Sequence, residues 1–155
     1  MSDRFQNFLD AGWLQPSPAS DDEVADIWAN ALSTYHDAAT AQLTPKNRTI
    51  LGYDAGRLAA YAIVRARDVK IRAGNHHEIT IKGAAALSEK ELAGALYVLD
   101  DLRARRHALE YGWGAATSTD ASTALLATVR RILELGADHL RNQRPSLASR
   151  IDSPE

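Results

Sequence analysis

The stretch SDDEVADIWANALSTYHDA, residues 20–38, decides the fold class. Ser20 stands three residues before Glu23, the spacing of a capping box, and Asp21 and Asp22 fill the first turn, where the helix dipole favours carboxylates. Behind this start, Val24, Ile27, Trp28, Ala31, Tyr35 and Ala38 recur at three- and four-residue steps, which is one face of an α-helix. The spacing predicts a helix from Ser20 to near Leu43, stopped by Thr44-Pro45.

The same period extends to both sides. A short amphipathic helix over residues 2–11 would turn Phe5, Phe8 and Leu9 inward, and Gly12 with Pro16-Ser17-Pro18 breaks the chain after it. A third helix begins near Arg48 and carries Leu51, Ala55, Leu58, Ala62 and Val69 as its stripe. Ile79-Thr80-Ile81 is locally strand-like, but with no second strand to pair with it the segment reads as a loop or a helix start. Ser88-Glu89-Lys90-Glu91 is a second capping box, opening a fourth helix through about Tyr111 that Gly112-Trp113-Gly114 ends. Ser118-Thr119-Asp120 starts a fifth, with Leu125, Val129, Ile132, Leu133 and Gly136 on its buried side and Arg144-Pro145 as its stop. The expectation is an all-α, up-and-down bundle of about five helices. Residues 1–18 form its N-terminal helix and proline turn, 19–144 the bundle, and 145–155 a flexible, solvated tail.

Composition agrees and removes several function classes. The chain has 155 residues, one domain's worth, and no cysteine, so disulfide scaffolds, thiolate metal sites and cysteine nucleophiles are ruled out. Alanine is the commonest residue, which favours helix because it loses no side-chain entropy there. The polar start Met1-Ser2-Asp3-Arg4 has no apolar signal region, and no stretch has the length of a membrane span. The expectation is a soluble, cytoplasmic protein that does not engage a membrane. The net charge of −2 is unevenly spread. Residues 46–72 carry Lys46, Arg48, Arg57, Arg65, Arg67, Lys70 and Arg72 against Asp54 and Asp68, which is either a solvated helix face or a track for phosphates.

The fourth helix holds an anomaly. Leu92, Leu99 and Trp113 share one heptad position, and Arg106 falls on it. A charge on a packing stripe is costly unless paired. Two readings stand: an internal salt bridge, for instance to Glu110, or an arginine held in a cleft to receive an anion. Arg103, His107 and Tyr111 follow one another at four-residue steps on one face, bordered by Arg106 and Glu110. An imidazole that titrates near neutral pH beside arginines has the parts of an RNA-cleaving site.

Arg106-His107-Ala108-Leu109-Glu110-Tyr111 resembles the signature of HEPN domains, in which an arginine and a polar residue are followed, after a short spacer, by histidine. Tyr111 stands where that last histidine is expected. The resemblance extends over roughly residues 20–140. Leu43-Thr44-Pro45-Lys46-Asn47-Arg48, the Tyr53-Asp54-Ala55 helix and the Gly74-Asn75-His76-His77 connection are similar to a bacterial branch that often ends its signature in tyrosine. It implies a two-fold homodimer whose signature helices share a cleft. It also implies either a metal-independent endoribonuclease of the toxin–antitoxin or phage-defence kind, or a non-catalytic module that binds a nucleotide or a protein partner such as a small nucleotidyltransferase antitoxin. Under the first, Arg106, His107 and Tyr111 are the catalytic candidates and Arg103, Arg57, Arg65 and Arg72 bind phosphate. His76, His77 and Glu110 are candidates to line the cleft. Neither cofactor nor metal is called for, since His76 and His77 have only Glu78 as a near carboxylate.

Overall fold

The structure, a computed structural model, describes residues 3–40, 42–72, 76–110 and 119–155, and for residues 76 and 103–110 the backbone alone. Among the described residues the chain runs α1 (Asp3–Asp10), β1 (Leu14–Pro16), α2 (Asp21–Ala38), α3 (Pro45–Ala66), β2 (Val69–Ile71), α4 (His76–Leu87), α5 (Lys90–Glu110) and α6 (Thr119–Gln143), then a 3-10 turn at Pro145–Leu147. The all-α reading holds, with six helices described instead of about five.

The boundaries show how the caps work. Ser20 Oγ accepts the Glu23 N–H at 3.1 Å, as the first capping box requires. α2 ends at Ala38, short of Leu43, because Thr44 both stops one helix and caps the next: its Oγ1 accepts the Asn47 N–H, and Pro45 occupies the first turn of α3. The second capping box does not form. Ser88 Oγ donates to Ala84 O at 2.6 Å, closing α4, while Glu91 reaches across to Arg131 at 2.8 Å. Ile79-Thr80-Ile81 lies inside α4, so of the two readings of that segment the helix is the one that forms.

α3 is the central helix, packed against α2, α4, α5 and α6. Its small residues allow this: a methyl added to Gly56 would lie 2.7 Å from Leu99 Cδ2, and one on Gly52 3.0 Å from Leu126 Cδ2. α2 runs antiparallel to α3, with Glu23 on Arg65 at one end and Arg48 donating to Thr40 O at the other. α6 runs in the same sense as α3, since Gly52 faces Leu125, Gly56 faces Val129 and Gly136 faces Ile63. α4 also follows the sense of α3, with Tyr53 against His77 and Val64 against Gly83. The alternation expected of an up-and-down bundle therefore breaks between α3 and α4. α5 descends antiparallel to α6, as Glu91 on Arg131 shows near its start.

A strand pair was not expected. β1 and β2 form a two-stranded antiparallel ribbon with Leu14 opposite Ile71, Gln15 opposite Lys70 and Pro16 opposite Val69. Val69 is thus the buried residue of a strand and not the end of the α3 stripe. The bend from α3 into β2 is made by Asp68 at φ +61°, a left-handed conformation that aspartate tolerates better than most residues. Its Oδ1 accepts both the Ala19 N–H at 2.9 Å and Arg144 Nη2 at 2.7 Å.

Two arginines clasp this end of the bundle. Arg65, 5% exposed, donates to Glu23 at 2.6 Å and to the carbonyls of Ser17 and Val69 at 3.0 and 2.8 Å. Arg144 joins the carbonyls of Ala19 and Ala66 to Asp21 and Asp68. The Arg65 guanidinium holds the Glu23 carboxyl below its ordinary range, and hydrogen bonds from Ser146 and then Arg144 lower Asp21 in the same way.

Residues 145–155, expected as a flexible, solvated tail, are instead packed onto the bundle. Leu147 and Ile151 are buried, Trp28 Nε1 donates to Asp152 O at 2.8 Å, and Arg141 donates twice to Ile151 O. The N-terminal segment is not set apart either, since Phe5 and Leu14 belong to the one hydrophobic core.

Candidate functional site

The signature falls at the far end of the bundle from the arginine clasp. α5 carries Leu92, Leu96 and Leu99 as buried residues and Leu102 as a half-buried one, so Arg106 continues a stripe that packs inward up to the edge of the described side chains. Arg103, Arg106, His107 and Glu110 lie on the last two turns of α5, their side chains outside the described residues, and Tyr111 lies outside them altogether. Leu99 sits against Gly56 and α5 runs opposite to α3, so these turns descend past the N-terminal half of α3. The starts of α3, α4 and α6 point to this same end. The positive ends of their dipoles therefore lie here, together with the acidic Glu78 and Asp120 of their first turns, and the three arginines Arg103, Arg105 and Arg106 are added by sequence.

Beside those turns, α3 presents a polar row where a buried helix would ordinarily be apolar. Thr49, Tyr53 and Arg57 stand at successive four-residue steps. Tyr53 is almost wholly buried and its ring meets that of His77, centroids 5.9 Å apart and planes at 40°. Thr49 Oγ1 and Arg57 Nε are both shut off from solvent without a hydrogen-bond partner among the described residues. A buried polar group left unmade costs about 1–3 kcal/mol, so two on one helix face within three turns mark a place that stability alone does not account for. His77 is delivered to Tyr53 by α4, whose first two turns also hold a Glu78–Lys82 ion pair at 2.6 Å. His76 opens α4, its side chain outside the described residues.

The expected phosphate track does not hold together. Arg65 is consumed by the clasp at the opposite end of α3, where its donors are spent on Glu23 and backbone carbonyls, so it is withdrawn as a phosphate ligand. Arg57 remains on the face beside α5, and Arg72 is exposed on the ribbon. Thr49 and Tyr53 were not singled out as site residues. Their four-residue spacing with Arg57 is the signal in the sequence, and it lies outside the apolar period that marks a helix face. Among the described residues no group of three His, Asp or Glu side chains is placed to hold a metal, and no helix is long and apolar enough to cross a membrane.

Comparison of the chain with protein-family models, curated proteins and solved structures finds no match to any of them.

Proposed function

We propose that this chain is a HEPN-type helical bundle that cleaves RNA without a metal, in a cleft between two copies, at the end of α5. The observation that carries the reading is the buried polar row on α3. Arg57 Nε and Thr49 Oγ1 have no partner among the described residues beside a Tyr53–His77 contact, on the helix past which the signature turns descend. A polyanion whose phosphates meet Arg57, Arg103 and Arg106 would supply an acceptor to Arg57 Nε, which has none among the described residues.

The chemistry assigned to these residues is transesterification. His107 takes the proton of a ribose 2′-hydroxyl, that oxygen bonds to the adjacent phosphorus, and the bond from phosphorus to the 5′-oxygen breaks. The leaving 5′-oxygen is protonated by His107 of the partner subunit, giving a 2′,3′-cyclic phosphate and a 5′-hydroxyl. Arg103 and Arg106 hold the non-bridging oxygens and stabilise the charge that develops on them. Tyr111, whose ordinary pKa is near 10, is a poor proton acceptor at neutral pH and is assigned to orienting the ribose or phosphate.

The test is incubation of the purified protein with structured and single-stranded RNA in excess EDTA. Fragments ending in 2′,3′-cyclic phosphate are expected, with DNA of the same sequence intact because it lacks the attacking hydroxyl. Arg106→Ala should abolish cleavage while the far-UV circular dichroism stays unchanged. Tyr111 favours a second reading, a non-catalytic cleft for a nucleotide or partner protein. Nucleotide binding lost in Arg106→Ala, with no RNA cut by the wild type, would select it.

A further inference from the structure

Among the described side chains, the most exposed aromatic ring lies far from the signature in sequence. Trp13 is 44% exposed, yet it is held in place: its ring stacks on Phe8 with centroids 6.0 Å apart and planes at 13°. The turn that delivers it is fixed by Gly12 at φ +77°, and Trp13 O accepts the Arg72 N–H at 2.9 Å, extending the ribbon by one residue pair. Leu14 is buried, so the alternation of the strand puts Trp13 and Gln15 on the outer face. Across the ladder Val69 is buried, which puts Lys70 and Arg72 on that same outer face. Both are exposed, and among the described residues neither forms an ion pair. Arg72 Nη1 lies 3.9 Å from where a Cβ on Gly12 would be, so the guanidinium covers the turn next to Trp13. Asp68, two residues before Lys70, is held by Arg144 at 2.7 Å, and Asp10, three residues before Trp13, accepts from Gln6 at 2.9 Å.

We infer that this outer face is a stacking platform for single-stranded RNA, with one base on Trp13 and the flanking phosphates on Lys70 and Arg72; the inference rests on the RNA reading above. A rigid, half-exposed indole offers a π-face that any base can cover, the usual device of sequence-tolerant single-strand binding. Lys70 and Arg72 are two residues apart on one face of a strand, about 7 Å, a spacing suited to successive phosphates of an extended chain. An apolar protein knob would be matched by an apolar rim, whereas here the rim is Gln15 and two cations with no ion-pair partner among the described residues. The platform also lies on the way to the candidate site. His76 opens α4 four residues after Arg72, at most about 14 Å along the chain. A strand anchored at Trp13 would be led past the start of α4 toward the end of α5.

The experiment uses His107→Ala as background, so that RNA is bound and not cut, and a fluorescein-labelled twelve-nucleotide oligouridine as probe. Anisotropy should show Trp13→Ala weakening binding roughly ten-fold or more, as loss of one stacked base does, and Trp13→Phe recovering most of it. Arg72→Gln and Lys70→Gln, both on exposed residues, should each lower the slope of log affinity against log salt by about 0.7. Wild-type affinity and slope in all four variants, with binding lost only in Arg106→Ala, would remove the platform and leave the RNA cleft standing. No binding of the oligouridine by the His107→Ala protein or the wild type would sink both. Displacement from Trp13 by polyglutamate but not by RNA would overturn the platform in favour of an acidic protein partner.

Discussion

At the residue scale two glycines in neighbouring helices make opposite predictions. A methyl on Gly56 meets Leu99 Cδ2 at 2.7 Å and Cδ1 at 3.2 Å, and Leu99 is fully buried with no room to retreat. Gly56→Ala should therefore cost about 1–3 kcal/mol, the ordinary price of overpacking, read as a lower urea midpoint. Gly94 has nothing within 4 Å of its added Cβ, so Gly94→Ala should raise stability by about 0.5–1 kcal/mol through helix propensity alone. His139 supplies a pH dependence. Burial lowers its pKa and the Glu89 carboxylate opposes this only in part. The unfolded chain then binds the proton more readily than the folded one. The contribution of His139 is complete above its unfolded pKa near 6.5 and is lost as pH falls below it. Glu23 and Asp21, also lowered, lose theirs further down, as pH drops below the ordinary carboxylate range. Thermal melts from pH 7.5 to 5 should show a decline that His139→Gln flattens; an unchanged profile in that variant would remove His139 as its source.

At the element scale, what could be read from sequence depended on length. α2 and α6 are long enough for several turns of apolar spacing, and their stripes from Val24 to Ala38 and Leu125 to Gly136 are buried as the period requires. The ribbon was illegible because three residues per strand give no alternation to count, and Val69 fitted the helical stripe as well as it fits β2. Ser88 was misread because a serine that can cap one helix forward can equally bond backward to the carbonyl of the one it closes. Residues 145–155 looked solvated because only Leu147 and Ile151 in them are large and apolar, yet both are buried, over a backbone that accepts from Trp28 and Arg141. Of the site, the turn bearing Arg106 and His107 was legible as a cluster of spacing, whereas its setting on α3 depended on which helices neighbour it in space. Truncation after Arg144 checks the account of the closing segment. Burying two such side chains contributes roughly 3–6 kcal/mol, so the shortened chain should melt far lower, and a melting point unchanged by truncation would contradict that packing.

On the scale of the whole molecule, the proposed chemistry needs two copies, and α5 offers a surface for their contact. Val98 and Tyr97 are 47% and 37% exposed on it, and Val98 edges a shallow groove between α5 and α6 whose floor is Gly94, Ala95 and Ala127. Two such faces brought together about a two-fold axis would set each Val98 toward the small residues of the other groove, and an isologous contact of this kind is the commonest oligomer geometry. The assignment of His107 from each copy requires in addition that the contact bring the last turns of both α5 helices to one cleft. Val98→Glu places a carboxylate on this proposed contact face while leaving the monomer's core untouched, because the side chain it replaces stands half in water. If the wild type sediments as a dimer, the variant should sediment as a folded monomer, and it should lose RNA cleavage without losing the salt-dependent binding proposed for Lys70 and Arg72. A monomeric wild type that still cuts RNA would end the shared cleft, since a single imidazole would then be both base and acid. A dimer that survives Val98→Glu would move the two-fold contact to another face of the bundle.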